Sequence, residues 1–523
     1  MRDRPAAVIA TLAAAYFLFL LLPSLSPHYG FYSDELYYLA CADRLAFGYV
    51  DQPPFFVFAL RVHRALFGDS LLALRMLPAA AGAMTALLAG LMARRMGGGL
   101  FAQVLATLAV MMAPGSLAIF NFFTVNCLAI LLWTTASWVL LELCRSREPR
   151  LWVVLGVVLG IAFLTKHTAV APVAGVAVAA LLSPLRQDLL GRWPWLGALA
   201  FAAIISPNVW WQVANDWPSL AFYASVEEHR YTASPLQQIL DQIVYQNPAS
   251  LPIWAAGLWF LLASPSGRRF RPLGWLFLTA LILAMIGGSR LPYRLAGVFP
   301  AAFAGGAVLL EAARKADAGP LRRVWNTWAL PSLMLLVGLS ASTIILPILP
   351  PEMLARNPLY NPGEGGGFRP EIGTNQIPYH LGNRTHWKAF VEQVEEVYRD
   401  LDPDEREDAI LLVDYFGHAG ALEYYGRDLP PVYSPMTGYL LWGPPPGSPR
   451  TVISIGIDET FLRPNFERVT VAAVFRCSFC PPVVDELPIY VARAPKRSFA
   501  ELWPEIGRLE GRRERMLRVQ QSE

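Results

Sequence analysis

The 523-residue chain has few charged residues: Asp, Glu, Lys and Arg make up 16% of it, whereas hydrophobic residues make up 54%. The mean hydropathy of +0.38 is well above that of ordinary soluble proteins. The basic residues are gathered in short clusters between apolar runs, which is not the pattern of a nucleic-acid-binding surface. This composition predicts an integral membrane protein and excludes nucleic acid as a partner.

Cysteine is also scarce. Five cysteines are too few for a disulfide framework, and only Cys477 and Cys480 are close in sequence. One C-x-x-C pair without a second pair is a weak indication of a zinc or redox site. A disulfide on an outward-facing segment, or two thiols, is the simpler interpretation. Internal repeats and low-complexity tails are absent from the sequence.

Long apolar runs are abundant in residues 1–349. The first, Ala6 to Leu25, follows Arg2 and Arg4 and has about the 20 residues needed to cross a bilayer. A signal peptide would look similar, but no convincing cleavage site follows. Further runs occur at 71–93, 100–119, 122–143, 151–165, 169–182, 195–213, 243–263, 273–287, 292–311 and 325–349. We therefore predict a mainly α-helical polytopic membrane domain over 1–349, with about 11 transmembrane helices and an outer loop at 26–70.

The distribution of basic residues predicts the orientation of these helices. Alternate loops carry Arg94 and Arg95; Arg145, Arg147 and Arg150; Arg186 and Arg192; Arg268, Arg269 and Arg271; and Arg314, Lys315, Arg322 and Arg323. By the positive-inside rule these loops are cytoplasmic, together with the N-terminus. The C-terminal part is then extracytoplasmic.

Other charged segments fall on the predicted outer side: loop 26–70, Lys166-His167, Glu227-Glu228 and the stretch from Arg290 to Arg294. Ionisable groups at membrane depth are costly, so they often mark a functional cavity. His229 and Arg230 are more simply part of a solvated charge run. The remaining charges of this set indicate a site at the outer face.

A soluble pattern replaces the apolar runs after about residue 350. A helical period covers 387–401, and strand-like runs cover 409–414, 451–457, 469–475 and 489–493. Helix and strand thus alternate through the last third of the chain. We predict an extracytoplasmic soluble α/β domain over 350–523.

Asp34 and Glu35 stand out in the first polar segment, residues 31–56. Ser33 is a plausible N-cap, so both acids can simply complement the dipole of a helix start. In a helix that begins at Asp34, however, Tyr37 and Tyr38 lie on the same face as that carboxylate. A carboxylate among aromatic groups can bind sugar and act as a general base toward a hydroxyl.

Asp51-Gln52-Pro53-Pro54 closes the same segment. Two prolines interrupt regular helix, so this stretch can simply be a loop that ends before an amphipathic helix over 55–67. Its polar residues are equally placed to belong to the site that begins at Asp34.

Several motifs together resemble the bacterial family 39 glycosyltransferases, relatives of the protein O-mannosyltransferases and of the lipid A aminoarabinose transferase. They are a D-E-x-Y-Y at 34–38, a G-Y-x-D-x-P-P at 48–54 and a G-x-x-L-G-x-A-x-L-T-K at 156–166. The similarity continues through 206–211, 216–219, 290–300 and 414–426. It therefore covers nearly the whole chain, in a specific order and spacing.

The resemblance implies a GT-C fold in the bacterial inner membrane and a polyprenyl-phosphate sugar as donor. Transfer to a glycan, lipid or protein acceptor would proceed with inversion and without a nucleotide sugar. Asp34 is the acid that the resemblance places at the reacting centre, with Glu35 in support. We expect the donor site to include Tyr37, Tyr38, Asp51, Gln52 and Asn126.

Two residues depart from the family pattern. Gln52 occupies a position that is usually basic or imidazole, and Asn126 occupies one that is often acidic. With an amide at 126, a divalent metal held between two acids is disfavoured, so we expect no metal and no other cofactor.

Lys166, His167, Arg290 and Arg294 are candidate ligands of the lipid phosphate, with Tyr293 between the two arginines. Snorkelling of these side chains to the interface is the alternative. As phosphate ligands they would offset the charge that grows as the sugar leaves.

Two rival functions are consistent with the same residues. A transporter or flippase for a lipid-linked sugar would also need buried charges, although it often carries inverted repeats, which this sequence lacks. An inactive family member acting as an assembly partner is the second rival, motivated by Gln52 and Asn126.

Overall fold

A computed structural model describes residues 4–228, 233–288, 291–316, 329–358, 360, 377–447, 449–481 and 484–508. The chain forms two compact units. The helical unit comprises Met1–Leu25, Ala46–Gly48 and Gln52–Ile348, and the sheet unit comprises Ser26–Leu45, Tyr49–Asp51 and Leu349–Glu523. The predicted loop 26–70 is therefore divided between the units, because residues 26–45 and 49–51 pack with the C-terminal part of the chain.

Helices account for the regular structure that is described in the helical unit. Its α-helices are α1 (Arg4–Leu21), α3 (Phe55–Phe67), α4 (Leu71–Arg95), α5 (Leu100–Met111), α6 (Pro114–Phe120), α7 (Val125–Ser146), α8 (Leu151–Thr165), α9 (Val170–Leu181), α10 (Trp193–Ala214), α11 (Pro218–Glu228), α12 (Pro235–Tyr245), α13 (Leu251–Leu262), α14 (Arg271–Ile286), α15 (Phe299–Lys315) and α16 (Leu330–Ile345). Short 3₁₀ helices occur at Leu22–Leu25, His167–Ala169, Pro184–Leu190, Pro248–Ser250, Arg268–Phe270 and Pro292–Val298.

Six helices in the described part of the chain are long and apolar enough to cross a membrane. Two bent pairs raise that number to eight: α5 with α6, bent by 61°, and His167–Leu181 with Pro184–Leu190, bent by 94°. Three more apolar helices are shorter than 18 residues: 151–165, 248–262 and 330–345. The predicted run of apolar helices is confirmed, whereas the count of 11 crossings and their orientation stay predictions.

Glycines let several of these helices approach closely, as is common in membrane bundles. A Cβ on Gly156 of α8 would lie 2.0 Å from the carbonyl oxygen of Gly197 in α10. A Cβ on Gly306 of α15 would likewise lie 1.7 Å from the carbonyl oxygen of Ile253 in α13. No larger residue fits at these crossings without moving a backbone. The first of them fixes α8, which ends directly before Lys166.

The sheet unit is built from short helices around one sheet. Its helices are α2 (Ser33–Asp43), α17 (Pro351–Leu354), α18 (Tyr379–Gly382), α19 (Trp387–Arg399), α20 (Pro403–Glu407), α21 (Phe416–Tyr425), α22 (Thr437–Trp442), α23 (Glu459–Asn465) and α24 (Phe499–Ile506). Its strands are β1 (Ala409–Val413), β2 (Val432–Tyr433), β3 (Thr451–Ile455), β4 (Phe466–Phe475) and β5 (Leu487–Pro495).

These strands form one five-stranded sheet in the order β2-β1-β3-β5-β4. β1 pairs in parallel with β2 and β3, and β5 pairs antiparallel with β3 and β4. All five residues of β1 and of β3 are buried, so these central strands are covered on both faces. The predicted helix at 387–401 and the four predicted strands are confirmed to within a few residues, whereas the two-residue β2 was missed.

Candidate active site

The start of α2 is fixed by hydrogen bonds from both sides. The backbone N–H of Tyr32, which precedes the helix, donates to Glu35 Oε2 over 2.8 Å. The backbone N–H of Ser33 donates to Asn383 Oδ1 over 2.8 Å. Tyr32, not Ser33, is therefore the N-cap residue, so the predicted cap is wrong by one position.

Glu35 is fully buried and accepts this capping bond. Its carboxylate satisfies an N–H that the helix itself leaves without an acceptor. Glu35 therefore holds the first turn that carries Asp34, whereas its part in the reaction stays a prediction.

Residues 382–387 bind the backbone just before α2. Gly30 N donates to the carbonyl oxygen of Arg384 over 2.7 Å, and the indole N–H of Trp387 donates to the carbonyl oxygen of Phe31 over 3.0 Å. Both contacts join residues more than 350 positions apart. The loop that leads to Asp34 is therefore positioned by the C-terminal part of the sheet unit.

Two glycines of α21 allow α2 to pack closely against it. A Cβ on Gly420 would lie 2.8 Å from the carbonyl oxygen of Leu36, and a Cβ on Gly417 would lie 2.8 Å from Ser33 Cβ. Gly417 and Gly420, in the segment 414–426, thus serve close helix packing.

Asp34 is partly exposed at the first turn of α2. Burial of its carboxylate, together with the charges of Asp51 and Glu35, raises the pKa of Asp34 to about 7; a contact with the Ser33 hydroxyl acts in the opposite direction. A carboxylate with this pKa can both hold and release a proton near neutral pH, as a general base must.

Asp51 is held beside this group by Tyr37. The Tyr37 hydroxyl donates to Asp51 Oδ1 over 2.8 Å and accepts from the backbone N–H of Gly438 over 2.9 Å. Burial raises the pKa of Asp51 to about 6, and the bond from Tyr37 partly offsets that rise. Asp34 and Asp51 thus both have raised pKa values, and Tyr37 holds the carboxyl group of Asp51 in place.

Tyr37 and Tyr38 are buried among other aromatic rings of the sheet unit. The Tyr37 ring lies 5.7 Å from that of Tyr38, 5.2 Å from that of Phe416 and 6.1 Å from that of Tyr439, measured between centroids. These contacts make Tyr37 a positioning residue for Asp51. The sugar contact predicted for both tyrosines stays a prediction.

A second group of predicted residues meets within the helical unit. Lys166, directly after α8, donates from Nζ to Asn126 Oδ1 over 2.5 Å. Nζ also lies 4.8 Å from the ring centroid of Tyr293. With Thr168 and Arg294, these side chains line a cavity of only about 10 Å³, room for about one water, whose apolar wall is Ala129, Ile130, Trp133 and Gly297. Two cations, a phenol and an amide therefore lie together, a donor set suited to an anion, and the cavity must widen to admit a phosphate.

His167 does not line this cavity. Its Nδ1 lies 3.0 Å from the Tyr223 hydroxyl and its Nε2 lies 3.3 Å from Asn208 Oδ1. The Asn208 amide in turn donates to the carbonyl oxygen of Phe47 over 2.8 Å. Both ring nitrogens are engaged, which makes His167 a link between α10, α11 and the Ala46–Gly48 segment.

The remaining predicted residues are placed as follows. Gln52 is buried in the helical unit, 2% exposed. Arg290, His229 and Arg230 lie outside the described residues. Cys477 and Cys480 form a disulfide with each other, one of the two alternatives to a zinc or redox site that the sequence left open.

No metal site is evident near Asp34 in the described residues. Among all the described residues, three metal-ligating side chains come together only at Cys477, Cys480 and Asp485, and the two cysteines are bonded to each other. Near Asp34, one carboxylate caps a helix and another accepts from Tyr37. The expected absence of a metal cofactor stays a prediction.

Sequence reasoning missed Asn383, Gly417 and Gly420, which position α2. Polar and small residues in a loop or helix carry no signal of a partner 350 positions away. It also missed a cluster around Arg44 and Glu423, whose only sequence signal is that each lies beside a recognised motif.

Comparison with known proteins places these features in context. Residues 51–211 match the model of the family described as dolichyl-phosphate-mannose-protein mannosyltransferase. The chain is 26% identical over 263 residues to the lipid A galacturonosyltransferase RgtD of Rhizobium johnstonii, which is 48% of this chain and 54% of that protein. The chain therefore spans about half the length of this curated relative.

Two solved structures share the fold along most of the chain. One is ArnT from Cupriavidus metallidurans bound to undecaprenyl phosphate, with TM-score 0.58, 17% identity, and coverage of 92% of this chain and 97% of that one. The other is the oligosaccharyltransferase AglB from Archaeoglobus fulgidus with an inhibitory peptide and a dolichol-phosphate, with TM-score 0.53, 11% identity, and coverage of 86% and 69%.

Proposed function

We propose that the chain is a GT-C glycosyltransferase that transfers a sugar from a polyprenyl-phosphate donor to a hydroxyl of an extracytoplasmic acceptor, which its similarity to the mannosyltransferase family model and to RgtD supports. The solved structures of similar fold contain undecaprenyl phosphate and dolichol-phosphate, which supports a donor of this class. The observation that carries the proposal is Asp34, a carboxylic acid with a pKa of about 7 on a rigidly held first turn.

In this reaction Asp34 removes the proton of the acceptor hydroxyl. The hydroxyl oxygen forms a bond to the anomeric carbon as the bond from that carbon to the phosphate oxygen breaks. Attack from the face opposite the phosphate inverts the configuration. The proton stays on Asp34 until it passes to solvent, and the products are the glycosylated acceptor and polyprenyl phosphate.

Asp51 and Tyr37 act on Asp34 rather than on the substrate. The Asp51 charge raises the pKa of Asp34, and the 2.8 Å bond from Tyr37 fixes where that charge lies. Glu35 keeps the first turn in place through the Tyr32 N–H. General bases of matched pKa typically contribute about 10²- to 10⁴-fold to rate.

Lys166 and Arg294 stabilise the departing phosphate in this proposal. A phosphodiester gains a negative charge when it becomes a phosphate monoester, and fixed cations favour that change. Asn126 and Tyr293 hold the Lys166 ammonium in the cavity. Arg290, four residues before Arg294, is proposed for the same role from its sequence position alone.

Divalent metal has no part in the proposed reaction. The two carboxylates nearest Asp34, those of Glu35 and Asp51, accept hydrogen bonds from the Tyr32 N–H and the Tyr37 hydroxyl, which makes them poorer ligands for a metal. Lys and Arg supply the positive charge instead.

Transport of a lipid-linked sugar is a second candidate, favoured by the two sharply bent helix pairs. Interrupted helices occur at the substrate sites of many transporters. Transport and transfer differ in whether the bond between sugar and phosphate breaks.

The test uses the full chain purified in detergent and a panel of polyprenyl-phosphate sugars labelled in the sugar. Release of polyprenyl phosphate together with a labelled acceptor supports transfer. Asp34→Asn is expected to lose at least about 100-fold in turnover, whereas Glu392→Gln, an exposed acid of the same unit, keeps the parental rate. Parental turnover by Asp34→Asn would overturn the base assignment, and intact donor with every sugar would overturn transfer.

A further inference from the structure

A cavity of about 680 Å³ lies within the sheet unit at the C-terminal end of α2. It is lined by Asp43, Arg44, Leu422, Glu423, Gly426, Asp428, Leu429, Pro430, Pro431, Val432, Tyr433, Tyr439, Trp442 and Gly443. Its volume is within the range of small-molecule sites, about 300–1,000 Å³. None of the residues assigned to the proposed reaction is among its lining.

The polar centre of this cavity is rigid. Arg44 makes two bonds to Glu423, of 3.1 Å and 2.7 Å, and the Tyr439 hydroxyl donates to the same carboxylate over 3.0 Å. The backbone of Arg44 is itself fixed, because the Tyr49 hydroxyl contacts the carbonyl oxygens of Cys41 and Arg44, each at 3.2 Å. The charged groups thus form a preorganised network.

Aromatic rings adjoin this network. The Arg44 guanidinium carbon lies 4.4 Å from the ring centroid of Trp442, and the rings of Trp442 and Tyr439 meet edge to face at 4.6 Å. Trp442 and Tyr433 are only partly buried. Such rings offer an apolar face beside fixed polar groups, the pairing that matches the C–H face and the hydroxyls of a sugar.

The charges of the lining select among sugars. The lining contains three carboxylates, those of Asp43, Glu423 and Asp428, and one guanidinium, that of Arg44. An acidic sugar would meet repulsion there, whereas a hydroxyl or an amino group would find acceptors. An acyl chain is equally unsuited, since charged side chains lie among the lining residues.

The cavity and Asp34 stand at opposite ends of one helix. Asp34 is in the first turn of α2 and Arg44 follows its last residue, a separation of about 15 Å along the axis at 1.5 Å per residue. A single sugar cannot reach from one to the other. A chain of several sugars can.

We propose that this cavity binds a non-acidic sugar unit of an extended acceptor glycan, one that carries hydroxyl or amino groups and no carboxylate. That the bound sugar unit belongs to the acceptor rests on the proposed transfer function, whereas the binding of a sugar by the cavity does not. The acceptor is then an oligosaccharide-bearing molecule whose distal part is held while its terminal hydroxyl reacts.

Saturation-transfer NMR and calorimetry on the full chain in detergent test the binding directly. The probes are a glucosamine tetramer, an N-acetylglucosamine tetramer and a galacturonate tetramer. We expect saturable binding of the first two, with the galacturonate tetramer at least tenfold weaker. Absence of binding by both non-acidic tetramers, or tighter binding of the galacturonate tetramer, would overturn the proposal.

Matched variants locate the binding. Trp442→Ala is expected to weaken binding at least tenfold, whereas Trp210→Ala, an exposed tryptophan of the helical unit, leaves it unchanged. Asp428→Asn is a second test in case Trp442→Ala fails to fold. It is expected to fold, because Asn tolerates the positive φ of 57° at this position. This variant is expected to weaken binding of the glucosamine tetramer more than that of the N-acetylated one, because it removes a carboxylate that can accept from an amino group. Binding unaffected by both Trp442→Ala and Asp428→Asn would refute the site.

Measurement of both saccharide binding and sugar transfer in the parental chain separates the two proposals. Binding without transfer in the parental chain would sink the transfer function and leave the saccharide site standing. Transfer to short acceptors with no saccharide binding at the cavity would overturn the saccharide site and leave the transfer function standing.

Discussion

The Tyr37 hydroxyl donates to Asp51 Oδ1 over 2.8 Å, and this bond positions the carboxylate whose charge, after burial, contributes most to the raised pKa of Asp34. It holds a negative charge close enough to Asp34 to raise the pKa of that acid. The bond also lowers the pKa of Asp51, so that Asp51 ionises before Asp34 as the pH rises. Near neutral pH, Asp51 is therefore charged and acts on Asp34 through its electric field, whereas Asp34 can accept and release a proton.

The rate of sugar transfer is expected to fall as the pH drops below about 7, since Asp34 is then protonated. Asp51→Asn removes the charge that raises the pKa of Asp34, yet keeps an oxygen for Tyr37. The acidic limb of the profile of kcat against pH should therefore move to lower pH. A limb that stays in place, in a variant that folds normally, would show that Asp51 does not tune the base; Glu392→Gln is the control.

Asp34→Asn should stabilise the protein at high pH. The ordinary pKa of this carboxyl is 3.8 and its pKa in the folded chain is about 7, so the folded state binds more protons between these values. Stability consequently falls as the pH rises from about 4 to about 7, and the whole penalty is present above 7. We expect the variant to melt a few °C higher than the parent at pH 8, with no difference near pH 4. An equal melting temperature at pH 8 would mean that Asp34 carries no such penalty.

Lys166→Met is expected to lower kcat about 10²- to 10³-fold, because it removes a cation that stabilises charge developing in the transition state. KM for the lipid donor should change much less. Lys315→Met is the matched control, since Lys315 is an exposed lysine of the same unit and contacts Glu311 at the end of α15. An increase in KM alone would instead assign Lys166 to ground-state binding of the donor.

Chelation should leave the reaction unchanged. The proposed charge partners are Lys166 and Arg294, so the protein is expected to keep its turnover after incubation with EDTA followed by dialysis, because the reaction uses no metal chemistry. Loss of turnover that Mg²⁺ or Mn²⁺ restores would place a metal at the site and contradict the proposal.

Local pattern was enough to predict most elements of this protein. Apolar runs of 14 to 25 residues located the membrane helices, and strand-like runs located four of the five strands. The acid pair before two tyrosines located the start of α2. These features depend on hydrophobicity and helix capping over a few neighbouring residues, which the sequence carries directly.

The sequence by itself therefore determined a helical membrane half, a C-terminal sheet and a short set of polar residues that includes Asp34. Tertiary structure decided how those residues work. It joined Lys166 to Asn126 across 40 positions, Ser33 to Asn383 across 350 and Arg44 to Glu423 across 379. A pKa of about 7 at Asp34 and a saccharide-sized cavity at the other end of α2 arise from burial and from charges that only packing brings together, and no local pattern encodes them.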